Sequence, residues 1–210
     1  MEEHQKIIVV PWDFTPVAEH ALAHAVKISR MVGNDICLLH IVDPGIKTSV
    51  LGEKKILLQH VADENGKKYN LSIASQIYKG SIFTSIAEFV NEKDASLVVM
   101  GTHGMKGMQK LTGSWALKVI VKSKVPFIVV QDPPPDQGRY HNIVFPVDFR
   151  RENKEKTKMA IYMGKYFDSK MHILVTTSTD QSLVKKTKIN LSFAIKYLIQ
   201  NNIDYEIHEV

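Results

Sequence analysis

The sequence predicts an α/β protein: a doubly wound five-stranded parallel sheet followed by a second, partial α/β copy of the same unit. Three observations predict it. Short continuous apolar runs such as "KIIVV" (6–10) and "ICLLHIV" (36–42) read as strands buried on both faces. Amphipathic stretches of helical length alternate with them, which implies parallel pairing through right-handed crossovers. The chain also repeats itself. "IVVPWDF" at Ile8–Phe14 returns as "IVFPVDF" at Ile143–Phe149, an offset of 135 that also pairs Ala25 with Ala160 and Leu39 with Leu174. A period that long marks copies of a domain, not a solenoid.

The elements follow in order. After the first strand, Thr15 suits an N-cap and Pro16 the first helical position. Ala18, Ala21, Leu22, Ala25, Ile28 and Val32 then form one helical stripe, which Gly33 can end. The second strand is "ICLLHIV", and a second helix fits about Val50–Lys68. "LSIASQIY" (71–78) alternates like a half-exposed edge strand. Ser81 can cap a third helix carrying Ile82, Ile86, Phe89 and Val90. "SLVVM" (96–100) is the fourth strand, a fourth helix fits about Ser114–Ser123, and "PFIVVQ" (126–131) is the fifth strand.

The expected domains are a complete unit over 1–131, a Pro-rich linker over 132–140 and a partial copy over 141–210. The linker holds "DPPPDQG", whose three prolines favour an extended spacer. The partial copy should hold three strands, the last over about 203–210, and two helices. The counterpart of Gly101 would fall beyond Val210, so this copy lacks the glycine loop. Either the chain is truncated, the reading favoured, or the half-domain leans on another surface.

Composition narrows the function. The formal net charge is +5 and the pI about 9.1, but the excess divides as +3 before Gln131 and +2 after it. A diffuse excess argues against a nucleic-acid arm. The acidic start "MEEHQK" is unlike a signal peptide, and no apolar run approaches the roughly 20 residues that span a membrane. A cytoplasmic protein is expected, with neither nucleic acid nor membrane as partner. Cys37 is the single cysteine, which excludes a disulfide framework; within an apolar strand it reads as a small buried hydrophobe.

In doubly wound sheets, ligands bind beyond the C-terminal strand ends, where the strand order reverses. Strand one ends in Pro11, Trp12 and Asp13, strand two near Ile41–Asp43, and strand four in "MGTHG". Gly101 and Gly104 would let backbone N–H groups approach phosphate oxygens. Gly113 and Ser114 fall where the fourth helix starts, a place that favours an anion. Asp13 suits ribose hydroxyls, and Lys106 or Lys110 could neutralise phosphate. Each feature has a plainer reading beside this one. The loop could be a tight structural turn, Asp13 could cap the next turn through Thr15, and His103 could bond its own backbone. His20 and His24 lie four apart, but no third ligand is evident, so they read as a solvated face.

Taken together, these residues resemble a universal stress protein of tandem type, over all of 6–131 and again from about 142. The ATP-binding branch of that family carries G-x2-G-x9-G-(S/T). Gly101, Gly104, Gly113 and Ser114 match its elements, with eight residues, Met105–Thr112, in place of nine. The resemblance implies nucleotide contacts at Pro11, Trp12, Asp13, Ile41, Met100, Gly101, His103, Gly104, Gly113 and Ser114, with ATP and Mg²⁺ as the cofactors. It implies a stress-response switch and a homodimer joined through strand 126–131. The other branch of the family implies a dimeric interaction module without nucleotide. Neither is an enzyme. The chain has no G-x-S-x-G elbow, Walker A loop, S-G-G-x-D-S loop or H-x-G-H pair. Any ATP hydrolysis is expected to be slow and incidental.

Overall fold

Five parallel strands and their crossover helices build the N-terminal part. They run β1 (Ile7–Pro11), α1 (Pro16–Val32), β2 (Asp35–Val42), α2 (Thr48–Tyr69), β3 (Ile73–Lys79), α3 (Ile82–Glu92), β4 (Leu97–Gly101) and β5 (Phe127–Val130). The computed structural model describes residues 6–102, 119–135 and 140–210. The expected fourth helix falls largely outside those residues.

The expected local signals operate. Thr15 accepts from the Ala18 N–H at the start of α1, and Pro16 opens the helix. Gly33, at φ 75°, closes it with its N–H on the Ser29 carbonyl, a left-handed conformation that suits glycine. Ser81 accepts from Phe83 N–H at the start of α3. Ala18, Ala21, Leu22, Ala25 and Ile28 are buried, as their spacing implies.

The sheet order is β3-β2-β1-β4-β5, all parallel. Winding therefore reverses between β1 and β4. β3 lies at one edge with alternating exposure, and β5 at the other. One face carries a core of Val9, Cys37, Leu39 and Val98 under Ile86, Phe89 and Val90 of α3. Cys37 is 3% exposed within it, and burial pushes its thiol up to about 11, so it stays a thiol at neutral pH.

The chain divides into two compact units, Met1–Pro134 and Pro135–Val210. The second holds β6 (Asn142–Val147), α4 (Asn153–Phe167), β7 (Lys170–Val175), α5 (Gln181–Gln200) and β8 (Tyr205–Glu209). Its three strands are parallel in the order β6-β7-β8. Phe145, Val147, Met171, Ile173 and Val175 pack there against Ala160 of α4 and Ala194 and Leu198 of α5. In β1:β2, Val9 pairs with Cys37; in β6:β7, Val144 pairs with His172. Both partners are shifted by the same offset of 135.

Gly101 ends β4 under a steric constraint. A Cβ there would lie 2.5 Å from Val17 Cγ1 and 3.2 Å from the Val17 carbonyl oxygen. The glycine thus lets the start of α1 close onto β4, a packing need that exists without any ligand. Gly101→Ala is expected to lower the unfolding free energy by about 1–3 kcal/mol through overpacking. In urea denaturation, Val17→Ala should relieve part of that loss. An unchanged midpoint in Gly101→Ala would leave ligand approach as the sole reason for the glycine.

Candidate functional site

The crevice forms because β1 and β4 part early. Their ladder holds only Ile8↔Leu97 and Val9↔Val98. The flanking ladders continue, β1:β2 to Pro11↔Leu39 and β4:β5 to Gly101↔Val130. Beyond Val9 and Val98, the two strand ends separate. Pro11 and Asp13 stand on one side of the gap, and Met100 and Gly101 on the other. Ile41, at the tip of β2, packs on the same α3-side cluster as Met100. Strand register thus places these five residues at one end of the sheet. His103, Gly104, Gly113 and Ser114 lie outside the described residues, as do Lys106, Lys110 and Trp115.

A turn at the end of β1 holds Asp13. Its Oδ1 accepts from the Thr15 N–H at 3.2 Å and from the Thr15 hydroxyl at 2.6 Å. Thr15 Oγ1 in turn caps α1. The carboxylate therefore fastens the strand-to-helix turn. Phe14 within that turn has φ 61°, an uncommon conformation for an aromatic residue.

Trp12 is buried, at 4% exposure. Its N–H donates to the Leu39 carbonyl at 2.8 Å, and its carbonyl meets His40 Nδ1 at 2.6 Å. Its indole packs edge-on to Phe14, which packs edge-on to His40. Lys54 of α2 lies 3.0 Å from His40 Nε2, with its ammonium 5.7 Å from the Phe14 ring centre. Since an ammonium only donates, Nε2 is the acceptor and Nδ1 carries the proton given to Trp12 O. The indole is part of a packed aromatic group, and both backbone polar groups of Trp12 are already engaged.

His20 and His24 are not a solvated face. His24 is buried, with Nε2 3.0 Å from the Asp132 carbonyl, and His20 Nδ1 lies 3.0 Å from the Gln131 carbonyl. The two rings grip the backbone that leaves β5. The sequence holds no signal for these contacts, because the partners lie 108 and 111 residues away.

Asp148, the counterpart of Asp13, also fastens a turn. Its Oδ1 accepts from the Arg150 N–H at 2.9 Å and from the Asn153 amide at 2.6 Å. Burial opposes its charge, but these two hydrogen bonds together with the charges of Lys156 and Arg150 hold the carboxyl below the usual range. Asn190 of α5 donates to the Asp148 and Arg150 carbonyls. An open groove of about 630 Å³ lies elsewhere, between α2 and β3, lined by polar groups such as Lys55, Gln59, Asp63 and Gln76. Ile56, Leu58 and Ile77 line it as well, and none of the residues expected to contact nucleotide does.

The fold is that of the universal stress proteins. The chain belongs to the Universal stress protein family, which it matches over residues 5–131. It is 28% identical over 145 residues to a universal stress protein of Methanocaldococcus jannaschii, covering 63% of this chain and 85% of that protein. A universal stress protein from Archaeoglobus fulgidus shares the fold at a TM-score of 0.71 and 16% identity, covering 97% of this chain and 77% of that one. Another structure from Archaeoglobus fulgidus, solved in complex with dAMP, matches at a TM-score of 0.51 and 23% identity, over 61% of this chain and 98% of that one. No helix among the described residues is long and apolar enough to cross a membrane.

Two buried imidazoles set a pH dependence. Burial lowers the pKa of His24 and His40 from the ordinary 6.5, with Lys27 and Lys54 respectively adding to the effect. The neutral forms therefore favour the folded state. As pH falls below 6.5, the unfolded chain takes up more protons and stability declines. The urea midpoint should drop from about pH 7.5 to about pH 5. A His24→Gln/His40→Gln double variant should give a flatter profile, and an equally steep profile would contradict this origin.

Proposed function

We propose that the first unit is an adenine-nucleotide-binding switch, with ATP and Mg²⁺ in the crevice between β1 and β4. The observation that carries this reading is the early parting of the two strands, which puts Asp13 and Gly101 on opposite sides of a gap at the reversal of the sheet. Family membership supports it, and a relative of the same fold was solved with dAMP. In this reading Asp13, held by Thr15, faces ribose hydroxyls. Ile41 and Met100 form the apolar floor near the base. The glycine loop from Gly101 through His103, Gly104, Gly113 and Ser114 meets the phosphates. Pro11 shapes the wall, and Trp12 supports the turn from beneath. Binding alters conformation or partner choice, and no catalytic residue is assigned. Nucleotide is assigned to the first unit, where the winding reverses; the described sheet of the second unit, in the order β6-β7-β8, has no such reversal.

Titration calorimetry with Mg·ATP tests this. Binding is expected in the intact chain, weakened at least ten-fold by Gly113→Val, which blocks phosphate approach, and also weakened by Asp13→Ala. Asp148→Ala should leave it unchanged. Absence of heat at millimolar ATP would end the proposal.

One observation favours the family's other feature, self-association. Among the described residues β5 pairs with β4 alone, and Val129 on it is exposed. An apolar parallel edge strand offers unpaired N–H and C=O groups to a second copy. In this proposal the chain is a homodimer through residues 126–131. Val129→Pro and Ile128→Lys should each give the monomer mass by light scattering. The dimer mass in both variants would place the interface elsewhere.

A further inference from the structure

The sheet of the second unit has two unlike faces. One packs on α4 and α5 through Phe145, Met171, Ile173 and Leu198. The alternate residues on the other face are Asn142, Val144, Pro146, Lys170, His172, Leu174, Glu206 and His208, half-buried or exposed. In the first unit, the positions offset by 135 from Val144 and His172 are Val9 and Cys37, both buried in the core. Two polar side chains thus stand where the first unit has apolar ones: His172 in place of Cys37 and Asn142 in place of Ile7.

Three of them converge. His172 Nδ1 lies 3.1 Å from His208 Nε2 and 3.7 Å from Glu206 Oε2. All three ligand atoms lie within 4.8 Å of one another. Strand register produces this: His172 of β7 is paired with Glu206 of β8, and His208 is two residues further along, on the same face. The imidazole rings stack with centroids 5.3 Å apart.

A fourth residue orients the set. His172 Nε2 lies 3.0 Å from Asn142 Oδ1. An amide oxygen only accepts, so Nε2 carries the proton and Nδ1 presents its lone pair to Glu206 and His208. Metal-bound histidines use the same arrangement, with the far N–H fixed by a second hydrogen bond. The Lys170 ammonium lies 2.9 Å from Glu206 Oε2.

We infer that His172, Glu206 and His208 form a binding site for a divalent first-row transition metal of the zinc type. Tetrahedral coordination at about 2.0–2.1 Å puts neighbouring ligand atoms about 3.3 Å apart; the two separations from His172 Nδ1, 3.1 and 3.7 Å, bracket that value, and the ligand atoms of Glu206 and His208 lie within 4.8 Å of each other and must close on the ion. Two imidazoles and one carboxylate suit zinc and its neighbours more than magnesium or calcium. The fourth position is left to water. Lys170 is the competing cation and must release Glu206 Oε2. The bound ion would tie the edge strand β8 to β7. Among the described residues, the other His–Glu contact, His60 with Glu64 at 3.3 Å, has no third ligand beside it.

Cobalt(II) titration of the chelator-stripped, untagged full chain tests the site. One Co²⁺ per chain is expected, with the d–d absorption of a four-coordinate ion, displaced by Zn²⁺. His172→Ala and His208→Ala should abolish the band. Glu206→Gln, which keeps the side-chain volume on an exposed strand, should weaken binding at least ten-fold. Asn142→Ala removes only the orienting acceptor and should weaken it about 10–100-fold. His60→Ala should bind as the parent does. If a histidine variant fails to fold by circular dichroism, Glu206→Gln and Asn142→Ala read the same site. No cobalt band in the parent chain, or a band undiminished in the folded variants, would overturn the assignment.

Discussion

The proposed site depends on one constraint: β1 and β4 are hydrogen-bonded through only two residue pairs before they separate. A parallel sheet wound in both directions must have such a seam, because the crossovers on its two sides leave in opposite senses. Peptide groups past Val9 and Val98 cannot satisfy one another across the gap. On the far sides the outer ladders continue, with Trp12 N–H on the Leu39 carbonyl and Thr102 N–H on the Val130 carbonyl, while Asp13 accepts from the Thr15 N–H in the turn that leaves β1. The seam is thus polar, lined by backbone, and bounded by an apolar cluster that includes Ile41 and Met100. An apolar lining with a few placed polar groups is the general character of small-molecule sites.

The sequence signals that proved legible were local ones. The caps Thr15, Gly33 and Ser81 act within four residues of themselves, and buried strands announce themselves by continuous apolar runs. Parallel pairing was legible through the alternation of strands and helices, whereas the order β3-β2-β1-β4-β5 came from the structure. Contacts between distant residues were not. The grip of His24 on Asp132 joins residues 108 apart, and that of His172 on His208 residues 36 apart. Such pairs exist only once strand register is known. Gly101 shows a different limit. Its placement suggested phosphate approach, yet Val17 already forbids a side chain there. Packing and binding can ask for the same residue, and sequence alone does not separate them.

The two units share their turn chemistry more than their surfaces. Asp13 and Asp148 each accept from the backbone N–H two residues on, and each leads the chain from a strand into a helix. This explains how an aspartate can recur at an offset of 135 whether or not a ligand is bound beside it. The faces away from α1 and α4 differ instead. The first unit covers that face with α3 and fills it with Val9, Cys37 and Val98, while the second presents Asn142, His172 and His208. The apolar face suits a packed domain, and the polar one suits contact with water or an ion.

The central claim is that nucleotide sits at the seam between β1 and β4 of the first unit and nowhere else in the chain. Photolabelling with an azido-adenine analogue of ATP, followed by peptide mapping, tests it most directly. The account predicts one label per chain, competed by ATP, on peptides bordering Pro11–Asp13, Ile41 or Met100–Ser114. Comparable labelling of the peptide containing Asp148, or no labelling that ATP can compete, would contradict it.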